Sequence, residues 1–166
     1  LLENLEEKHL QEKVVVLVER EHERSGHPET RLLNDLAVSV LMRKISSTLL
    51  GTSGKEIKIT GALGIYVFDT SKDAVEFAQE FRKELSRQNI RSRIGIDKGP
   101  ILLFELKEGG FDIAGMPVNI ASKMSQDKGQ WGHLYITRPV AEEVDTVGFV
   151  PFAIEASGVQ IEAFEG

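Results

Sequence analysis

Glu21, His22, Glu23 and His27 place two carboxylates and two imidazoles in one short stretch. Such a set can ligate a divalent cation, although clusters of this kind are most often solvated loops. Asn119 and Lys123 stand four apart. On a helix that spacing puts them on one face, an amide beside an ammonium. Trp131, in the loop Lys128-Gly129-Gln130-Trp131-Gly132, is a candidate interface anchor. His133 beside it reads as packing or surface. Other chemistry is excluded. The chain has no Cys, so disulfides, thiolate metal sites and cysteine nucleophiles are absent. Gly51 and Gly54 do not form a phosphate-loop pattern. No Ser, His and Asp fall at a readable triad spacing.

The 166 residues suit one domain. Hydrophobic residues make up 41%, enough for a folded core. Lys and Arg number 20 against 26 Asp and Glu, for a net charge of −6. The basic residues are scattered, so nucleic acid is not an expected partner. No apolar run approaches the roughly 20 residues of a membrane span, and no membrane contact is expected. No signal-peptide core opens the chain. The lack of Cys is compatible with a reducing cytoplasm, the expected location. The first residue is Leu, which suggests a processed chain or a domain taken from a longer one.

The elements that must position these residues follow from periodicity. Residues 1–13 are rich in helix formers and read as a helical lead-in. Residues 14–166 form the domain. Val14–Val18 is a β-branched run that reads as a buried central strand. Leu32, Leu33, Leu36, Val40, Leu41, Ile45 and Leu49 recur at helical spacing and mark a first helix that ends near Gly51. Glu56–Thr60 and Leu63–Phe68 read as a hairpin around Gly61-Ala62. Asp69-Thr70-Ser71 offers N-cap chemistry to a second helix, whose apolar face is Ala74, Val75, Ala78, Phe81 and Leu85. Arg93–Asp97 is a strand ending at Gly99-Pro100. Further strands are expected at Ile101–Leu106 and Leu134–Thr137, with short helices near Pro117 and Pro139 and a final strand pair. The order βαββαβ predicts an α+β fold with a ferredoxin-like core, its antiparallel sheet carrying both helices on one face, plus a C-terminal β/α extension.

Three segments resemble one family. Arg93-Ile-Gly-Ile-Asp-Lys-Gly-Pro100 resembles a strand-and-turn signature of class III nucleotide cyclases, the adenylate and guanylate cyclase catalytic domains. Phe111-Asp-Ile-Ala-Gly-Met-Pro-Val-Asn-Ile-Ala-Ser-Lys-Met124 is similar to the family's "YDIWGxTVNxASRM" motif. Lys58–Phe68 resembles its "KTIGDAVMAVF" hairpin. The resemblance implies a head-to-tail dimer with the active site between protomers. One protomer brings two Asp that hold two metal ions. The other reads the purine and stabilises the transition state with an Asn and an Arg.

By that resemblance the metal-binding half is degenerate here. The first Asp of a "VLFADI" pattern falls at Arg20, and the second, after "KTIG", falls at Ala62. Glu19 or Glu21 could substitute only after a register slip. A site without oxygen ligands does not suit a hard cation, so no cofactor is expected by itself, and Mg or Mn only through a partner domain. The other half is better kept. The resemblance implies nucleotide-binding roles for Lys58 and Asp112 at the purine, and catalytic positions for Asn119 and Lys123, the last replacing an Arg. Glu155 stands where a triphosphate-binding Lys is expected. Each of these also has an ordinary structural explanation: an exposed hairpin Lys, a turn-capping Asp, a helix-end Asn, a solvated Lys.

Three functions fit. The first is a degenerate cyclase-like pseudoenzyme in signal transduction, a dimerising, regulatory or nucleotide-binding module. The second is the purine-binding half of a heterodimeric adenylate cyclase that converts ATP to cyclic AMP with a metal-bearing partner, a pattern similar to the second cytoplasmic half of the mammalian membrane cyclases. The third is an interaction domain with a collapsed pocket. Expected partners are a second copy or another cyclase domain, and ATP or another purine nucleotide.

Overall fold

A computed structural model of the chain describes residues 10–22 and 26–166. The helical reading of residues 1–9 lies outside the described residues. Eight strands and four helices follow in the order β1 (Leu10–Arg20), α1 (Pro28–Leu49), β2 (Gly54–Thr60), β3 (Leu63–Phe68), α2 (Ser71–Arg87), β4 (Ser92–Glu105), β5 (Phe111–Ala114), α3 (Met116–Ser122), β6 (Leu134–Thr137), α4 (Arg138–Ala141), β7 (Val150–Ala156) and β8 (Val159–Glu165). The strands form one sheet in the order β2-β3-β1-β4-β6-β8-β7, with β5 folded back on β4. Only β4 and β6 pair in parallel. The first four strands give the ferredoxin-like arrangement that the element order predicts.

β1 is central because its alternating side chains are apolar on both faces. Val14, Val16 and Val18 pack toward the helices, against Ala74, Phe77, Ala78, Phe81 and Leu85 of α2. Val15 and Leu17 point the other way, toward Ile57, Val67, Ile101 and Ala121. The second helix is built as its sequence suggests. The Thr70 hydroxyl accepts from the Asp73 N–H at 3.2 Å, and the helix buries one apolar stripe.

Two expectations are corrected. Residues 10–13 continue β1 and are not helical, because β4 runs on through Gly99-Pro100 and offers them a partner edge, Leu10 opposite Leu102 and Lys13 opposite Gly99. For the same reason the two strands expected at 93–97 and 101–106 are one strand, β4. In α1 only part of the apolar spacing turns inward. Its inward side carries Asp35, Val38, Ser39, Met42, Ile45, Ser46 and Leu49, while Leu32, Leu33, Leu36 and Val40 are exposed. Polar contacts set that rotation: Asp35 receives Arg20, and the Ser39 hydroxyl donates to the Gly61 carbonyl at 3.0 Å.

On the face away from α1 and α2, α3 lies directly on β4. A Cβ at Gly95 would fall 2.2 Å from the Ala121 carbonyl oxygen, so only glycine permits this approach. After Ser122 the helix widens into a π turn, Lys123–Asp127, closed by the Lys128 N–H donating to the Lys123 carbonyl at 3.3 Å. Irregular turns of this kind often occur at functional sites.

Candidate functional site

The fold brings Arg20 and Ala62 together. Arg20 closes β1, Ala62 sits in the β2–β3 turn, and the Arg20 N–H donates to the Ala62 carbonyl at 2.8 Å. Arg20 has the same strand parity as Val14, Val16 and Val18, so its side chain runs to the helix side. It is 1% exposed. Its Nη2 donates to Asp35 Oδ1 at 2.7 Å, and the Arg20 hydrogen bond holds the Asp35 carboxyl below its usual range. Arg20 Nε is buried and has no hydrogen-bond partner among the described residues.

The neighbouring carboxylates are also engaged. Glu19 accepts from Arg93 Nε at 3.0 Å, and the Arg93 guanidinium lies 4.3 Å from the centre of the Trp131 ring. Trp131 therefore packs within the chain. Glu21 takes both Nε and Nη2 of Arg91, at 2.7 and 2.8 Å, a paired geometry of high specificity. His22 faces Asp35 at 3.3 Å. Glu23 lies outside the described residues, and among those described no group of three or more acidic or imidazole side chains could hold a metal. His133 pairs with Glu165 at 3.0 Å.

The other group is more open. Lys58 is exposed on β2, opposite Ile65, next to a bulge that re-aims the strand. Lys55, on the same strand, holds its Nζ 3.8 Å over the Phe111 ring. That contact draws β5 across the sheet face toward β2. Asp112 lies on β5 opposite Phe104, and its Oδ1 accepts from the Ile113 N–H at 2.8 Å. No ion pair or hydrogen bond joins Lys58 to Asp112 among the described residues. Asn119 is exposed on α3. Lys123 starts the π turn and pairs with Asp127 at 3.5 Å.

Between the π turn and the β7–β8 hairpin lies a cleft of about 530 Å³, lined by Lys123, Lys128, Glu155 and Gln160 among others. Lys123 and Glu155 are thus brought to one site. Its charge is nearly balanced, two lysines against Glu155 and the adjoining Asp127. A larger concavity of about 740 Å³ runs beside α2, and none of Lys58, Asp112, Asn119, Lys123 and Glu155 lines it.

No protein-family model matches the chain, and no curated protein matches it. Solved structures do. The guanylate cyclase domain of RhGC from Catenaria anguillulae, solved in complex with GTP, matches with a TM-score of 0.70 at 15% identity, over 93% of this chain and 95% of that one. The adenylyl cyclase CyaB from P. aeruginosa matches with a TM-score of 0.72 at 18% identity, over 94% of each chain. An adenylate/guanylate cyclase/hydrolase from Silicibacter pomeroyi matches with a TM-score of 0.68 at 20% identity, over 93% and 96%.

The chain has the class III nucleotide cyclase fold. In that fold Arg20 and Ala62 hold the two positions where the motif resemblance expects metal-binding carboxylates. The residues present do not fit a divalent ion. Arg20 contributes a fixed cation, and Ala62 offers only a carbonyl that already accepts from Arg20. One buried group of this cyclase fold escaped sequence reasoning. The Thr137 hydroxyl donates to Asp97 Oδ1 at 2.5 Å, and burial pushes the Asp97 carboxyl above its usual range. An Asp of the same strand parity as Gly95 and Gly99, in an apolar strand, was the available signal. No helix among the described residues is long and apolar enough to cross a membrane.

Proposed function

We propose that this cyclase-fold domain is a regulatory module of signal transduction that engages a second cyclase domain and makes no cyclic nucleotide by itself. One observation carries this reading: Arg20 and Ala62 stand in contact at the expected metal positions, and every described carboxylate on the adjoining stretch of β1 is already paired with an arginine. Two-metal chemistry needs oxygen ligands that hold both ions against the substrate's phosphates. Arg20 would instead repel them. Purine nucleotide is the proposed ligand, through Lys58 and Asp112. Large apolar side chains on and around the β4–β5 hairpin, Phe104, Leu106 and Met116, are exposed and suit a partner domain.

A second reading rests on Asn119 and Lys123, which lie four apart with Asn119 open to solvent. These two groups could complete the site of a partner that supplies two Asp carboxylates and, with them, Mg or Mn. Glu155 opposes that role, because it places a negative charge in the cleft that Lys123 lines.

The test is cyclic nucleotide production from Mg-ATP, Mn-ATP and the GTP equivalents, with calorimetric titration of ATP alongside. The domain alone is expected to make no product and to bind ATP without metal, with binding lost in Asp112→Ala. Product from the domain alone overturns the proposal. Product only on mixing with a metal-bearing cyclase domain, abolished by Asn119→Ala, establishes the second reading.

A further inference from the structure

The outward face of α1 is apolar and is left uncovered by the described residues. Leu32, Leu33, Leu36 and Val40 are 72%, 68%, 64% and 62% exposed, and Ala37 lies exposed among them. An exposed helical stripe of this composition marks a contact surface. Its ends carry opposite charge. Glu29 stands in the first turn, and Arg43 and Lys44 stand exposed near the other end.

The sequence is complementary to itself when reversed about Leu36. Two copies of α1 laid antiparallel with Leu36 against Leu36 set Leu32 against Val40 and Glu29 against Arg43, twice over. Glu29 and Arg43 are each seven residues from Leu36, about 10 Å along the axis, so both ends come into register together. A two-fold contact demands this self-complementarity, residue i meeting j and j meeting i. Arg43 also reaches Glu56 at 3.3 Å within the chain, yet its side chain remains 61% exposed. Its guanidinium has donors left for a second carboxylate.

We infer that α1 is a homodimer face, in which a second copy of this chain packs antiparallel about Leu36, with Glu29 of each copy paired to Arg43 of the other. This goes beyond the proposed function. The face lies on the helix side of the sheet, opposite the side that carries Asn119 and α3. A dimer formed there leaves both candidate nucleotide surfaces free for other cyclase domains.

Sedimentation velocity of the full chain from 1 to about 100 µM reads the association. A dimer is expected, weakened at least tenfold in Leu36→Asp and unchanged in Met116→Asp, which alters only the exposed start of α3 on the other face. Leu36 is exposed, so Leu36→Asp should fold, and circular dichroism checks it. Glu29→Arg alone is expected to weaken the dimer, and Glu29→Arg with Arg43→Glu to restore it. A monomer throughout overturns the inference. So does a dimer that survives Leu36→Asp and is lost in Met116→Asp, which would instead support the cyclase-type contact. Deletion of residues 1–9 tests the remaining occupant: if it turns a monomer into a dimer, the chain's own N-terminal segment covers α1 and the inference fails. Failure here leaves the nucleotide and activity measurements untouched.

Discussion

The two ends of the candidate site are built on opposite principles. At the end of β1, every charged side chain described has found a partner: Arg20 with Asp35, Glu19 with Arg93, Glu21 with Arg91. At the α3 end, the backbone itself is irregular. A bulge beside Lys58 and a π turn after Ser122 hold Lys58, Asn119 and Lys123 outward, with one ion pair, Lys123 to Asp127, among them. Paired and buried charge makes the first end part of the architecture. Loosely held polar groups leave the second able to meet a ligand. The contrast separates charge that is paired within the fold from polar groups left open to solvent.

Arg20 offers the most forceful way to break that comparison. Its side chain is buried and carries a charge, so Arg20→Ala removes packing and leaves Asp35 without its main cation. The expected cost is about 3 kcal/mol in urea unfolding, the range for breaking a buried pair. Arg20→Met should recover part of this, because it fills the volume and removes the unpartnered Nε. A cost for Arg20→Ala below about 0.5 kcal/mol, the range of surface changes, would show the end of β1 to be as dispensable as an exposed surface.

A pH profile sharpens the same contrast. Arg20 holds the folded pKa of Asp35 below its usual value. Stability from this pair is therefore present above the ordinary carboxylate pKa of about 3.9 and lost as pH falls through the lower folded value. In Arg20→Met that contribution is gone at every pH. The stability gap between wild type and Arg20→Met should narrow as pH drops below about 4. Glu143 is held down in the same direction by Lys98 and Ser71, and should titrate alike in both proteins. A gap that stays constant to pH 2 would mean that Arg20 acts by packing alone.

Much of this was legible in the residues. The βαββαβ order, the Thr70 cap and the α2 stripe follow from local chemistry, and all stand in the fold. Motif matches pointed to the cyclase fold before any coordinates. What could not be read is long-range. Gly99-Pro100 looked like a strand end because a Pro lacks an N–H, yet β1 and β4 pair across it. Spacing marks α1 as a helix but not its inward side, which keeps Ile45 and Leu49 and exposes Leu32, Leu33, Leu36 and Val40, because it is decided by Arg20 and Gly61, distant in sequence. The Asp97–Thr137 bond joins residues 40 apart. The cleft shared by Lys123 and Glu155 needs the β7–β8 hairpin to fold back on the π turn.

Glu155→Lys is the mildest change and addresses the open end directly. Glu155 is exposed and makes no ion pair among the described residues, so stability should move by no more than about 0.5 kcal/mol. Binding should respond differently. The substitution leaves Lys123, Lys128 and a new ammonium around one cleft, with Asp127 paired to Lys123 beside it. Attraction for a triphosphate then rises, most at low salt, where surface charge is least screened. A gain of about tenfold in ATP affinity, roughly 1.4 kcal/mol, is the expected result by calorimetry. The gain should shrink as ionic strength rises and vanish when Lys123→Ala is added. An equal gain for Arg91→Lys at the end of β1 would mean that the cleft has no special claim on phosphate. No gain at any salt would place the nucleotide elsewhere, and Lys123 would then be a solvated residue of the π turn with only Asp127 for company.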